Sequence, residues 1–200
     1  MKKVATFGEI LLRLATPNKE RILQAKNFDA DYGGGEYNVA VSLSQFGVPT
    51  KFVTALPDNA VGDSAIFRIK GFGIDSSSIV RQGDRMGLYF LEHGAAMRAS
   101  KVVYDRARSS ISEIKPGDID WEKAFQGIDW FHFTGITPAL SSSAADVTSE
   151  AASAAKDLGL TVSADMNYRK NLWSPERAQS IMKPLMKYVD IAIGNDEDAE

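Results

Sequence analysis

Cysteine is absent from the 200 residues, which excludes a disulfide framework, a thiol nucleophile and a cysteine-ligated metal, and fits a reducing compartment. Histidine is scarce. His93 and His132 stand alone, without the helix-spaced partner that a histidine metal site needs. No stretch approaches the roughly eighteen apolar residues of a membrane span. The opening Met1-Lys2-Lys3-Val4-Ala5 lacks the apolar run and small-residue cleavage site of a secretory leader, so a cytoplasmic location is expected. Neither charge sign dominates: 23 lysines and arginines face 26 acids, a net charge of −3, which gives no electrostatic reason to expect nucleic-acid binding. A Gly-any-Ser-any-Gly nucleophile elbow and a Gly-Lys-Ser/Thr phosphate loop are both missing. What is present, 44% hydrophobic and 24% charged residues, suits one large globular domain over 1–200.

Strand-like and helix-like segments alternate along the chain. Val4–Phe7 and Ile10–Ala15 read as strands. Gly33-Gly34-Gly35 then precedes a helical pattern, Val39, Ala40, Leu43 and Phe46, which Gly47 stops. Lys51–Leu56 reads as one β-type run, Ser64–Lys70 as a helix, and Ile79-Val80 as a weak strand. Leu88–Leu91 and Lys101–Tyr104 flank the small, polar His93-Gly94-Ala95-Ala96, a hairpin signal. Trp130–Thr134 and Thr161–Met166 are strands around an alanine-rich helix, Ser141–Leu158, which Ser143 can cap and Gly159 ends. Ser174-Pro175 starts another helix. Ile191–Ile193 is a last strand, and Asn195–Asp198 looks like the opening of a further helix, so the chain is expected to continue past Glu200.

This rhythm predicts an α/β fold, a mostly parallel sheet with helices on both faces. Two pieces, around 10–33 and 86–106, break the rhythm and are expected to pair as a small sheet at one end. Ligands in such folds bind beyond the carboxyl ends of the strands, so chemistry should sit in the loops there.

A run of three glycines lets a backbone approach a ligand closely, and the helix after it aims free N–H groups at that place. A plain turn is the competing reading; Asn38, polar at the helix start, can reach back toward the glycines. On a strand, side chains two apart share a face, so Tyr104, Arg106 and Arg108 should project together, about 6–7 Å between neighbours. An arginine fork and a tyrosine hydroxyl suit a carboxylate. The alternative is a solvated basic edge strand formed by Arg98, Lys101, Arg106 and Arg108.

The glycine run with Asn38 and Gly47 resembles the first signature of the ribokinase-like (PfkB) carbohydrate kinases. Phe7-Gly8-Glu9, Leu56-Pro57-Asp58-Asn59-Ala60-Val61-Gly62-Asp63, Gly71-Phe72-Gly73-Ile74-Asp75 and Asp165-Met166-Asn167-Tyr168-Arg169 continue that family's order. Pro57 departs from it, standing where the signature usually has glycine. Val103-Tyr104-Asp105-Arg106 resembles the 2-keto-3-deoxygluconate kinases in particular. Arg13 stands near where ribose-type members carry an aspartate, and a cation there favours an acidic sugar.

The resemblance implies a three-layer αβα fold with a β-sheet lid and a C-terminal part not included in these residues. It implies an ATP- and magnesium-dependent kinase whose partner is a small-molecule sugar acid, and a homo-oligomer formed through the lid. Gly34, Gly35, Asn38, Tyr89, Tyr104, Arg106 and Arg169 would meet the sugar; Tyr89 as a packing aromatic, and Asn167 and Arg169 as structural and surface residues, are the plain alternatives. Asn167 and Asn195 would meet the phosphate region. Asp198 stands where the family's Asn-any-any-Glu motif carries its acid; one methylene shorter, it would serve magnesium through water. The Gly-Ala-Gly-Asp motif that holds the base in such enzymes is absent from 1–200, so no catalytic residue is expected here. A neutral-sugar kinase and a non-catalytic sugar-binding or dimerising module remain as other readings.

Overall fold

The structure, a computed structural model, describes residues 2–199, without the side chains of Glu197 and Ala199. The first half runs β1 (Val4–Phe7), β2 (Leu11–Ala15), β3 (Asp29–Gly33), α1 (Gly35–Gln45), β4 (Thr50–Val53), β5 (Ala55–Leu56), α2 (Ala60–Gly71) and β6 (Val80–Arg81). There follow β7 (Leu88–Glu92), β8 (Lys101–Asp105), α3 (Trp121–Ala124), β9 (Trp130–Thr134), α4 (Ile136–Leu140) and α5 (Ser142–Asp157). The last elements are β10 (Thr161–Asp165), α6 (Pro175–Leu185), β11 (Ile191–Ile193) and α7 (Asp196–Ala199).

The main sheet has the order β11-β10-β9-β1-β4, with every pair parallel. Its central strands are buried on both faces, the α5 side apolar and the other side carrying Thr6, His132, Thr134 and Ser163. Phe52 points to a cluster with Tyr37, Ala40, Ala65 and Ile69 of α1 and α2. Its neighbour Val53 points the other way, to Ala5, Phe7, Phe131, Phe133 and Val162 beneath α3, α5 and α6. Side chains that alternate between two cores define three layers, helix on sheet on helix.

A second sheet, β3-β2-β7-β8, stands at one end as a lid. β2 runs antiparallel to β3 and parallel to β7, and β8 returns antiparallel to β7. The expected run Lys51–Leu56 is split between two sheets: β4 joins the main one, while β5 pairs with β6.

Three local readings need correction. Helix α2 begins at Ala60, before Ser64, because the Asn59 side chain accepts from the N–H groups of Val61 and Gly62 at 3.0 and 3.1 Å. Ser141 rather than Ser143 caps α5, accepting the Ala144 N–H at 3.0 Å; Ser143 donates to the Ile114 carbonyl instead. And β8 ends at Asp105, with Arg108 in a left-handed turn at φ 53°. Tyr104, Arg106 and Arg108 therefore do not form one strand face. Among the described residues, no helix is long and apolar enough to cross a membrane.

Candidate active site

The triglycine turn carries the chain from the lid into α1. Gly34 has φ 156°, and a methyl group there would collide with the backbone carbonyl oxygen of Glu9, so only glycine fits this close approach. At Gly35 a methyl group would stand 3.5 Å from Thr134 Cγ2 and 3.7 Å from Asn167 Nδ2. The turn thus lies against the carboxyl ends of β9 and β10, where the fold gathers its loops. The Asn38 N–H donates to the Gly34 carbonyl at 2.8 Å, while its side chain is exposed.

Glu36, next to the glycines, was not among the expected site residues. It is fully buried. Its Oε1 accepts from the Thr134 N–H at 3.2 Å, the Thr134 hydroxyl at 2.8 Å and the Thr137 hydroxyl at 3.0 Å. Oε2 has no partner. Burial pushes its carboxyl up to about 7, against the pull of these hydrogen bonds. One side chain therefore ties the turn to the end of β9 and the start of α4.

Strand register sets a row across the lid: Asp31 beside Arg13, Arg13 beside Tyr89, Tyr89 beside Tyr104. The Tyr89 and Tyr104 rings lie 5.6 Å apart, and the Tyr89 hydroxyl lies over Gly33, where a methyl group would be only 2.7 Å away. Tyr89 faces the glycine turn, and burial raises its hydroxyl pKa. Arg13 is paired with Asp31 at 3.2 Å, and Asp31 also holds Arg68 of α2 at 2.9 Å. The Arg13 charge is therefore shared inside the protein.

Arg106 follows β8 and turns inward. Its Nη2 pairs with Glu9 Oε2, and its guanidinium carbon stands 5.3 Å from the Tyr104 ring centre. The basic strand read from the sequence is thus not one solvated edge: Lys101 and Arg108 are exposed, Arg98 pairs with Glu92 at 2.9 Å, and Arg106 is largely buried.

Beyond β10, Asn167 adopts φ 42° and its N–H donates to Asp165 Oδ1 at 3.1 Å. Arg169 is exposed, and its guanidinium donates to the Tyr168 carbonyl at 3.2 Å. Asp198 Oδ1 accepts the Tyr168 N–H at 2.6 Å and Oδ2 the Asn195 N–H at 2.8 Å. In return Asn195 Oδ1 accepts the Asp198 N–H at 3.1 Å. Burial first, then the nearby Asp198 charge, raises the Asp165 carboxyl pKa, while Arg169 pulls it down.

A cavity of about 1190 Å³ brings Tyr104, Arg106, Arg169 and Asp198 together, with Ile136 and Trp173 among its apolar walls. Gly34, Gly35, Asn38, Tyr89, Asn167 and Asn195 lie outside its lining. Lys170 and Lys183 also line it and were not singled out in the sequence. Among the described residues, no three histidines, cysteines or acids gather as a metal-binding group.

The parallel three-layer fold with its lid and glycine turn defines a ribokinase-like protein, and the pfkB family of carbohydrate kinases matches residues 1–200. The chain belongs to that family. A 2-dehydro-3-deoxygalactonokinase from Haloferax volcanii is 33% identical over 198 residues, 98% of this chain and 61% of that protein. The crystal structure of 2-dehydro-3-deoxygluconokinase from Thermotoga maritima superposes with TM-score 0.97 at 52% identity, over 100% of this chain and 61% of that one. A PfkB family carbohydrate kinase from Listeria grayi gives TM-score 0.96 and 39% identity, over 99% and 62%. The chain spans about 61% of the length of these relatives.

Proposed function

We propose that this chain is the sugar-recognising part of an ATP-dependent, magnesium-requiring kinase. Its substrate is 2-keto-3-deoxygluconate (2-dehydro-3-deoxygluconate) or a close sugar acid, and the terminal hydroxyl becomes the 6-phosphate. The carrying observation is the meeting of Tyr104, Arg106 and Arg169 in one cavity. An open-chain sugar acid offers a carboxylate at one end for the arginines, whose donors suit it in a planar fork. Tyr104 supplies a hydroxyl for the chain of the sugar. Tyr89, the Gly34–Gly35 backbone and Asn38 lie outside the lining of the cavity, so in this reading the sugar extends past it toward the glycine turn.

In this reading Asn167 and Asn195 serve the phosphates. ATP supplies the transferred phosphoryl group. Asp198 fits magnesium only through water: both its oxygens already hold backbone N–H groups, yet each retains a lone pair for a hydrated hard cation. The residues 1–200 hold no Gly-Ala-Gly-Asp run, so by themselves they are expected to bind sugar without phosphorylating it. Val102, Val103 and Tyr104 are exposed on β8, which supports a second copy pairing through the lid.

A neutral-sugar kinase is the competing reading, favoured by the internal pairing of Arg13 with Asp31 and Arg106 with Glu9. A phosphorylation screen of sugar acids against neutral sugars, on full-length protein and its Arg106→Ala variant, separates the two. Loss confined to acidic substrates supports the proposal; activity on neutral sugars that Arg106→Ala leaves unchanged overturns it. A non-catalytic module is the reading left if full-length protein phosphorylates neither class.

A further inference from the structure

Four stretches of chain pass between the core and the lid: 8–10 into β2, Gly34 out of β3, 82–87 into β7, and 106–109 out of β8. All four meet at Glu9. The carbonyl oxygen of Glu9 is what forbids a side chain at Gly34. Its Oε1 accepts the Ser109 hydroxyl at 3.0 Å and its Oε2 takes Arg106 Nη2. At Gly87 a methyl group would lie 2.7 Å from Glu9 Oε1 and 3.1 Å from Arg106 Cβ. Glu9 itself is 2% exposed. Burial pushes its carboxyl upward, and Arg106, Ser109 and then Arg85 pull it back.

An isolated buried carboxylate is unfavourable unless it is paired and hydrogen-bonded. Here the partner is the very arginine that opens onto the cavity. A guanidinium carries donors along more than one edge, so Glu9 can grip one edge while another faces a ligand. The Arg106 fork is then held in place before any ligand arrives, and no binding energy is lost in ordering it.

We infer that Glu9 is a positioning residue: it fixes the Arg106 fork and clamps the four lid crossings, so that an anionic sugar is read through it. The carboxylate-binding half of this statement rests on the substrate reading above; the clamping half does not.

The test is a double-mutant cycle by titration calorimetry with 2-keto-3-deoxygluconate on wild type, Glu9→Gln, Arg106→Gln and the double variant, each checked for folding by circular dichroism. Hydrogen exchange of the free proteins is measured alongside. Glu9→Gln should weaken binding roughly ten- to hundredfold, the range of a charged hydrogen bond. The double variant should bind no worse than Arg106→Gln, since Glu9 acts through Arg106. Exchange in Glu9→Gln should rise at all four crossings together and stay unchanged in β9 and β10. Unaltered affinity in Glu9→Gln, or losses that multiply in the double variant, overturns the inference. If wild type binds no sugar acid, the substrate reading falls instead, and exchange alone decides whether Glu9 clamps the crossings: a rise confined to 106–109 refutes it.

Discussion

Asp198 Oδ1 accepts the Tyr168 N–H at 2.6 Å, across the gap between the loop after β10 and the start of α7. The second oxygen takes the Asn195 N–H, so one carboxylate holds the Arg169 loop against the next strand–helix junction. Asp198→Ala should destabilise the fold by about 1 kcal/mol, the net worth of a typical hydrogen bond, since water can reach the exposed Asn195 N–H. Urea unfolding measures it. Asp198→Asn, which keeps one acceptor oxygen, should lose less.

Glu36 and His132 set opposing pH dependences. Glu36 is raised from 4.5 to about 7 by burial. The folded state therefore holds its proton more tightly, and stability falls as pH rises from 4.5 to 7. His132 is lowered from 6.5 to about 4, also by burial. The folded state prefers it neutral, and stability falls as pH drops from 6.5 to 4. Each shift is worth about 3 kcal/mol, so between about 4.5 and 6.5 the slopes largely cancel. Denaturant unfolding across pH should show a rising curve for Glu36→Gln, a falling one for His132→Gln, and a flatter wild type.

At Gly34 the backbone has φ 156° and Glu9 blocks a side chain. Gly34→Ala should cost about 2 kcal/mol or more, from strain and overpacking combined. It should also weaken sugar binding, because relief requires the turn or the lid hinge to move. Thermal unfolding and calorimetry report the two effects separately.

Tyr89 places its hydroxyl over the first glycine, and its ring lies tilted 40° against that of Tyr104. Tyr89→Phe removes the hydroxyl and keeps the ring. Sugar affinity should drop about tenfold, one hydrogen bond's worth, with the melting temperature nearly unchanged. A large fall in stability with unaltered affinity would return Tyr89 to a packing role.

The sequence carried the alternation of strands and helices well where a short, mostly apolar run stands between polar or turn-forming residues: Trp130–Thr134 and Ile191–Ile193 lie where the pattern put them. It failed where a side chain's partner is far away in the chain. Nothing near Arg106 shows that Glu9, 97 positions earlier, neutralises it. Glu9 and Glu36 did leave a trace, as lone acids beside glycines in otherwise apolar or small surroundings. Helix starts slipped where two capping candidates stood close, as with Ser141 and Ser143, because the cap is chosen by which residue takes the extended backbone. Arg108 left the strand face through a left-handed turn that its residue type does not announce.

The lid is gripped hard at its root and only lightly at its far edge. Toward α2 it is tethered by Asp31 with Arg68 and by Tyr32 with Ser64, exposed contacts of the kind that each contribute little. Such a mounting behaves as a lever with its fulcrum at residues 8–10, so a few degrees of tilt there sweep the outermost strand, β8, through the largest arc. Tyr104 rides on that strand. A tilt at the root would accordingly change the width of the cavity chiefly at Tyr104.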